Sequence, residues 1–298
     1  MNPMKPAHAT DAADTTHGAH ATDAADTANT ANTANTATIT RVDETQWEAV
    51  TDSGLIVGEG DLSHRPDGRR FISIDVWQDT VFDQLAAAML AELPEPLHTL
   101  VGEHDHALTS RWERLGFTVG RREHVYVLPT KPPASSAAPA SSASSATRKD
   151  LPPTGVTIAP AGTADETLLR ALDRTVRQEI EATVGWHTMP AEVLSHPDGD
   201  TLIDPSKYAA AALNGEYVGL VRVVPVRSRA RIGLLAVRAD HRGRGIGRAL
   251  LTHALSTLHR GGIGSAWAEV DTSNAAAIAL VEAVGATRSS GYVELVRH

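Results

Sequence analysis

The amino-acid sequence predicts an α/β protein of two related units, each a mixed, mostly antiparallel sheet flanked by helices, the second complete and the first degenerate. Three observations support this. Polar low-complexity stretches at 1–38 and 130–153 leave two folded segments, 39–129 and 154–298. The second segment alternates strand and helix patterns in an order that builds a mixed sheet. The end of the first segment, "LHTLVGEHDHALTSRWERLGFTVGRREHVYVLP" from Leu97, falls without a gap on "AWAEVDTSNAAAIALVEAVGATRSSGYVELVRH" from Ala266. That alignment pairs Asp105 with Asn274, Glu113 with Glu282 and Gly116 with Gly285.

In the second segment, "GVTIAPA" from Gly155 reads as a strand, and a helix from Ala164 carries Leu168, Leu172, Val176 and Ile180 at helical spacing behind an acidic first turn. "KYAAAALNGEYVGLVRVVPVR" from Lys207 is two strands joined at Asn214-Gly215, a hairpin signal because both residues tolerate positive φ. "RIGLLAVRA" from Arg231 is a third strand. The next helix buries Ala249, Leu250, Ala254, Leu255 and Leu258 and stops at Gly261. "SAWAEVD" is a strand, "TSNAAAIALVEAVG" a helix ended by Gly285, and "YVELVRH" the last strand. In the first segment, "RRFISIDVWQDTVFDQLAAAMLAEL" from Arg69 supplies a strand and a helix.

Composition narrows the function classes. The chain has 298 residues, 42% hydrophobic and 21% charged, enough for two ordinary cores. A net charge of −9 argues against a DNA or membrane-surface binder, which normally carries positive excess. With no cysteine there is no disulfide, thiolate metal site or cysteine nucleophile. No apolar run reaches a membrane span and the Met1 end lacks a signal-peptide core, so a cytoplasmic protein is expected. Residues 1–38 repeat "HATDAADT" and "ANT" without a large apolar side chain after Met4, and read as a disordered tail. Residues 130–153, rich in Pro, Ala and Ser, read as a solvated linker. No metal site is expected.

The stretch "HRGRGIGRAL" from His241 packs glycines and arginines between a strand and a helix. Such a loop turns backbone N–H groups toward one point at the positive end of the helix dipole. Glycine allows positive φ and close approach of an anion, and the arginines add charge that phosphates attract. The spacing matches neither the P-loop nor the dinucleotide G-x-G-x-x-G pattern.

Arg242-x-x-Gly245-x-Gly247 after "LLAV", then an amphipathic helix, a strand and "DTSNAAAIALVEAVGA", resembles the GCN5-related N-acetyltransferase (GNAT) superfamily over the C-terminal half. The resemblance implies that acetyl-CoA lies between the strands "RIGLLAV" and "SAWAEVD". Its pyrophosphate would rest on the amides of Arg242, Gly243, Arg244, Gly245, Ile246, Gly247 and Arg248. Its pantetheine arm would pair with Leu235, Ala236 and Val237, and Asn274 would contact the arm. The first segment resembles a degenerate copy, because "QDTVFDQ" has two aspartates and no glycine where the phosphate loop belongs. The whole is loosely similar to mycothiol synthase, a tandem GNAT chain.

The implied reaction is N-acetyl transfer from acetyl-CoA to a primary amine of a small metabolite or peptide, by direct attack in a ternary complex. An alkyl amine is mostly protonated at neutral pH, so a base or relay is needed. Glu269 and Asp271 share a strand face with Trp267, and Glu269 is the first choice for base or relay; a carboxylate paired with an arginine is the alternative reading. The Val237 amide would polarise the thioester. Trp186, His187 and Asp271 are candidates for acceptor binding. Many family members place an acidic tyrosine where this chain has Val281, so another group such as Tyr292 would have to protonate the thiolate, or none does. A non-catalytic CoA-binding module and an enzyme using another donor such as aminoacyl-tRNA stay open, though the net charge weighs against tRNA. Either a monomer or a homodimer fits.

Overall fold

The computed structural model describes residues 37–65, 67–131, 151–185, 189 and 203–298. Nearly all of the 1–38 tail and of the 130–153 linker lies outside the described residues. The first half carries β1 (Thr38–Arg41), β2 (Gln46–Val50), β3 (Ile56–His64), β4 (Arg70–Val76), α1 (Asp79–Glu92), β5 (Leu97–Gly102), α2 (His106–Arg114) and β6 (Thr118–Pro129). The second carries β7 (Val156–Ala159), α3 (Glu166–Glu181), β8 (Tyr208–Leu213), β9 (Glu216–Val226), β10 (Arg229–Val237), α4 (Ile246–Arg260), β11 (Ser265–Asp271), α5 (Ala275–Glu282) and β12 (Thr287–Arg297).

Local chemistry sets the element boundaries. Asp165 caps α3 by accepting the Leu168 N–H at 2.9 Å. The buried stripe of α3 is Leu169, Leu172 and Val176; Leu168, expected inside, is 38% exposed, so the apolar face is turned by one residue from the sequence reading. The expected stripe of α4 is buried throughout. Asn214 and Gly215 both take positive φ, 52° and 86°, and close the β8–β9 hairpin as a two-residue turn.

All twelve described strands form one sheet in the order β1-β2-β3-β4-β5-β12-β6-β11-β10-β9-β8-β7. Its pairings are antiparallel except β4–β5 and β10–β11. The order joins the halves by exchange. β12, from the second half, inserts between β5 and β6 of the first, while β6 inserts between β11 and β12. The sequence reading placed each last strand with its own segment; the pairing crosses between them.

Helices α1, α2, α4 and α5 pack on one face of this sheet. The first-half core gathers Trp47, Ile72, Phe82, Leu85, Met89, Trp112 and Val293, and the second-half core gathers Tyr126, Leu128, Ile246, Leu250, Ala266 and Val281. Each core includes residues of the other half's last strand. On the opposite face, α3 covers Tyr208, Ala210 and Leu220. Among the described residues, the first half has no helix on that face, and β1 and β2 are joined directly by residues 42–45.

Candidate active site

The site begins where β10 and β11 part. They pair only at Ala230–Ala266 and Arg231–Trp267, after which the strands diverge. A bulge at Gly233 accompanies the divergence, since Ile232 faces Val223 on β9 while Leu234 already faces Arg222. Beyond the bulge, the Arg238 N–H bonds the Val218 carbonyl at 3.0 Å, which points Arg238 at β9. Alternation along the strand then turns the backbone groups of Leu235 and Val237 toward the opening. Ala236 directs its backbone to β9 and its side chain to the α3 face.

At the far end of the opening lies the glycine–arginine loop. Gly243 and Gly245 take φ of 73° and 85°, conformations closed to most side chains, and Gly245 is the N-cap of α4. The first helical bond runs from the Ala249 N–H to the Gly245 carbonyl at 3.0 Å, leaving the amides of Ile246, Gly247 and Arg248 without helical acceptors. A Cβ on Gly247 would stand 3.4 Å from Leu235, so this glycine seats the helix against β10. Gly243, Arg244 and Gly245, which lead into these amides, are exposed, whereas Ile246 is buried.

The Arg242 side chain has partners on both sides of the loop. Its Nε donates to the Val237 carbonyl at 3.0 Å, and Nη2 donates to Glu179 Oε2 at 3.1 Å. The same Glu179 oxygen accepts the Ala239 N–H at 2.9 Å. The last turn of α3 is thereby tied to the loop, a link that sequence pattern does not encode.

Glu269 faces α3 at the junction of the strands. Oε2 accepts from Arg231 Nε at 2.8 Å and Oε1 from Trp267 Nε1 at 3.0 Å. The carboxylate is thus the arginine-paired one that the sequence left open, with both oxygens oriented. The Arg229 guanidinium lies 5.2 Å above the Trp267 ring. Asp271 uses Oδ1 to hold the Ser273 N–H at 2.8 Å, closing the turn into α5. Asn274 caps α5 by accepting the Ala277 N–H at 3.0 Å.

Val281 is 6% exposed and belongs to the second-half core. Tyr292 is level with Asp271, but Glu123 of β6 stands between them in the sheet, so Tyr292 is two strands removed from β11. Trp186 and His187 lie outside the described residues. Among the described residues, no group of three or more His, Cys, Asp or Glu side chains could hold a metal ion, and no helix is long and apolar enough to cross a membrane.

Residues 173–286 match the model of the acetyltransferase (GNAT) family. This match lies within the second half. The chain is 40% identical over 72 residues to the [ribosomal protein bS18]-alanine N-acetyltransferase of Escherichia coli (strain K12), a match covering 24% of this chain and 49% of that one. It is 35% identical over 85 residues to mycothiol acetyltransferase of Streptomyces coelicolor, covering 28% and 27% respectively. The chain thus spans about half the length of the first of these relatives and less of the other. A tandem GNAT protein from the clavulanic acid biosynthesis pathway superposes with TM-score 0.55 at 15% identity, covering 84% of this chain and 81% of that one. The resemblance seen in the sequence therefore holds for the family, the tandem fold and the loose likeness to the mycothiol enzyme. In the second half Glu269 stands where β10 and β11 part, and the glycine loop lies beyond the far end of β10.

Proposed function

We propose that the chain is an acetyl-CoA-dependent N-acetyltransferase that acetylates a primary amine of a small metabolite or peptide by direct attack in a ternary complex. The observation that carries this is the parting of β10 from β11 beyond Arg231–Trp267, on the strand that leads into the Gly243–Gly245 loop and the free amides at the N-terminus of α4. The relatives point the same way, since one is an alanine N-acetyltransferase of a ribosomal protein and the other a mycothiol acetyltransferase.

The donor supplies an activated acetyl thioester; the chain binds, orients and moves protons. The amides of Ile246, Gly247 and Arg248, with Arg244 and Arg248, hold the pyrophosphate at the helix N-terminus. Arg242 stands beside that seat. Two backbone amides, of Leu235 and Val237, reach into the opening. At a rise of about 3.3 Å per residue, Leu235 is nearer to Glu269 by roughly 7 Å. Leu235 is therefore the better donor to the thioester oxygen and Val237 the better partner for the pantetheine arm, an exchange of the roles first assigned. Glu269, oriented by Arg231 and Trp267, takes the amine proton directly or through a water. With Val281 in the core, no side chain is assigned to protonate the leaving thiolate.

A second reading is a CoA-binding module without turnover, favoured by the Arg231–Glu269 pair and the buried Val281. A thermal-shift titration with acetyl-CoA tests the shared part. At 100 times the Kd the ligand should add about 2.7 kcal/mol of stability, and Gly245→Glu should abolish that shift while still folding. Amine-dependent CoA release then separates the readings. Under the enzyme reading, Glu269→Gln keeps acetyl-CoA binding and slows transfer by about 100-fold. Binding with no release for any amine selects the module.

A further inference from the structure

Among the described residues, Arg222 on the α3 side of the sheet is a partly buried cation in no ion pair. Arg222 of β9 faces Leu234 across one strand pair and Tyr208 across the other, on the sheet face that α3 covers. Its guanidinium rests on the bulge, where a Cβ on Gly233 would meet Nη1 at 2.9 Å. The bulge is the point at which β10 and β11 part. Arg222 therefore stands at the same junction, and on the same face, as the Arg231–Glu269 pair.

Several other partly buried arginines are neutralised. Arg69 meets Asp67 and Glu294, Arg177 meets Asp173, Arg231 meets Glu269, and Arg238 meets Glu216 and Asp240. Among the described residues, no ion pair joins Arg222 to a carboxylate. Asp173, whose charge acts on Tyr208, is bound to Arg177 at 2.6 Å. The neighbour of Arg222 is instead the Tyr208 hydroxyl, which is kept protonated because burial pushes its pKa above the ordinary phenol range. Two donors with no anion beside them thus lie on the α3 face of the sheet next to the junction. Holding a half-buried guanidinium without an anionic partner is costly, and its planar fork suits carboxylate and phosphate oxygens.

We propose that Arg222, with Tyr208, binds an anionic group of the acceptor, a carboxylate or phosphate a few bonds from the amine. The glycine at position 233 is what leaves room for the guanidinium. This inference rests on the acetyl-transfer reading, and narrows its acceptor to amines that carry a negative charge.

The test pairs acceptors that differ only in charge: β-alanine against β-alaninamide, and phosphoethanolamine against ethanolamine. CoA release by the full chain is expected to show a kcat/KM at least tenfold higher for the anionic member of one pair, which also tells carboxylate from phosphate. Arg222→Ala should bring that ratio close to one through a higher KM, Arg222→Lys should retain part of it, and Gly233→Ala should reduce it by displacing the guanidinium. Ligand-observed NMR on the CoA-loaded protein reports binding of the same four compounds without turnover. A ratio of one in the wild type, a ratio unmoved by Arg222→Ala, or no binding of either anionic compound overturns the proposal. Acetyl-CoA stabilisation and its loss in Gly245→Glu report separately on the reading beneath it.

Discussion

The two halves can be compared at corresponding points, and they agree in their scaffold while differing in what faces a ligand. In each, a parallel strand pair lasts for two residue pairs and then opens, at Arg70–Leu97 and Phe71–His98 in the first half and Ala230–Ala266 and Arg231–Trp267 in the second. In each, the following helix is capped by an acidic or amide side chain at nearly identical dihedrals, −87° and 72° for Asp105, −88° and 74° for Asn274. Each of these helices is followed by a glycine of positive φ, Gly116 at 88° and Gly285 at 85°. The phosphate end is different. Only Trp77 and Gln78 separate β4 from α1, Gln78 makes no side-chain cap, and Asp79 stands in the first turn. A carboxylate at a helix N-terminus occupies the place an anion would take. The lesson is that splay, caps and turns are maintained by burial and backbone bonding, whereas an anion seat is a local device that can be absent without harm to the sheet.

The largest expected effect comes from separating what the exchange joins. Residues 151–298 alone would lose β6, which pairs with β11 along its whole length from Ser265 to Asp271, and would lose Tyr126 and Leu128 from the core. The exposed edges of β11 and β12 would then favour aggregation. Expressed alone, this fragment should fail to give a cooperative melt; co-expressed with residues 37–131 it should recover one. A soluble second half that melts cooperatively and is stabilised by acetyl-CoA would show the halves to be independent and the comparison misplaced.

Such coupling is also where sequence reasoning stops. The hairpin at Asn214-Gly215, the α4 stripe and the glycine loop are legible because turn chemistry and helical periodicity are local. The equivalence of Asp105 and Asn274 is legible because a cap is set by one side chain and an amide three residues on. The exchange is not, since β6 and β12 have similar lengths and patterns, and nothing along the chain tells which of the two parting strand pairs each will join. The Arg231–Glu269 and Glu179–Arg242 contacts span 38 and 63 residues, beyond any periodic signal. Gly233 inside an apolar strand was a bulge signal in the sequence, and reading it would have pointed to the junction.

A second way to sharpen the comparison is at the seam itself. Glu294 of β12 reaches three residues of the first half: His98 at 2.9 Å, Arg69 at 3.1 Å and Arg121 at 3.6 Å. Burial alone would push its carboxyl up, but the His98 hydrogen bond and the charges of Arg121 and Arg69 outweigh this and hold it below the ordinary value of 4.5. A depressed carboxylate contributes stability above the unfolded-state pKa, and that contribution is lost as pH falls through the folded value. Glu294→Gln should therefore cost about 3 kcal/mol at neutral pH by leaving buried cations unbalanced, and should flatten the fall in stability below pH 4.5. Denaturant melts of both proteins across pH 3–7 measure this; parallel curves would mean that the seam does not depend on this charge.

The smallest expected effects fall on the matched caps, and they ask whether the halves differ only in ligand-facing groups. Asp105 accepts the Leu108 N–H at 2.9 Å and Asn274 the Ala277 N–H at 3.0 Å. Replacing either with alanine removes one cap and should cost about 1 kcal/mol of stability. Equal losses of stability are what equivalent helices require. Acetyl-CoA affinity, by contrast, should distinguish them, because of the two only Asn274 follows a parting strand pair whose other strand leads into a glycine loop, the proposed pyrophosphate seat. Asp105→Ala should leave the acetyl-CoA Kd unchanged, and Asn274→Ala should raise it several-fold if the amide also meets the cofactor arm. An unchanged Kd in both would reduce Asn274 to the role Asp105 already plays, and would leave the loop from Gly243 to Arg248, with the strand edges behind it, as the whole of what the second half has and the first lacks.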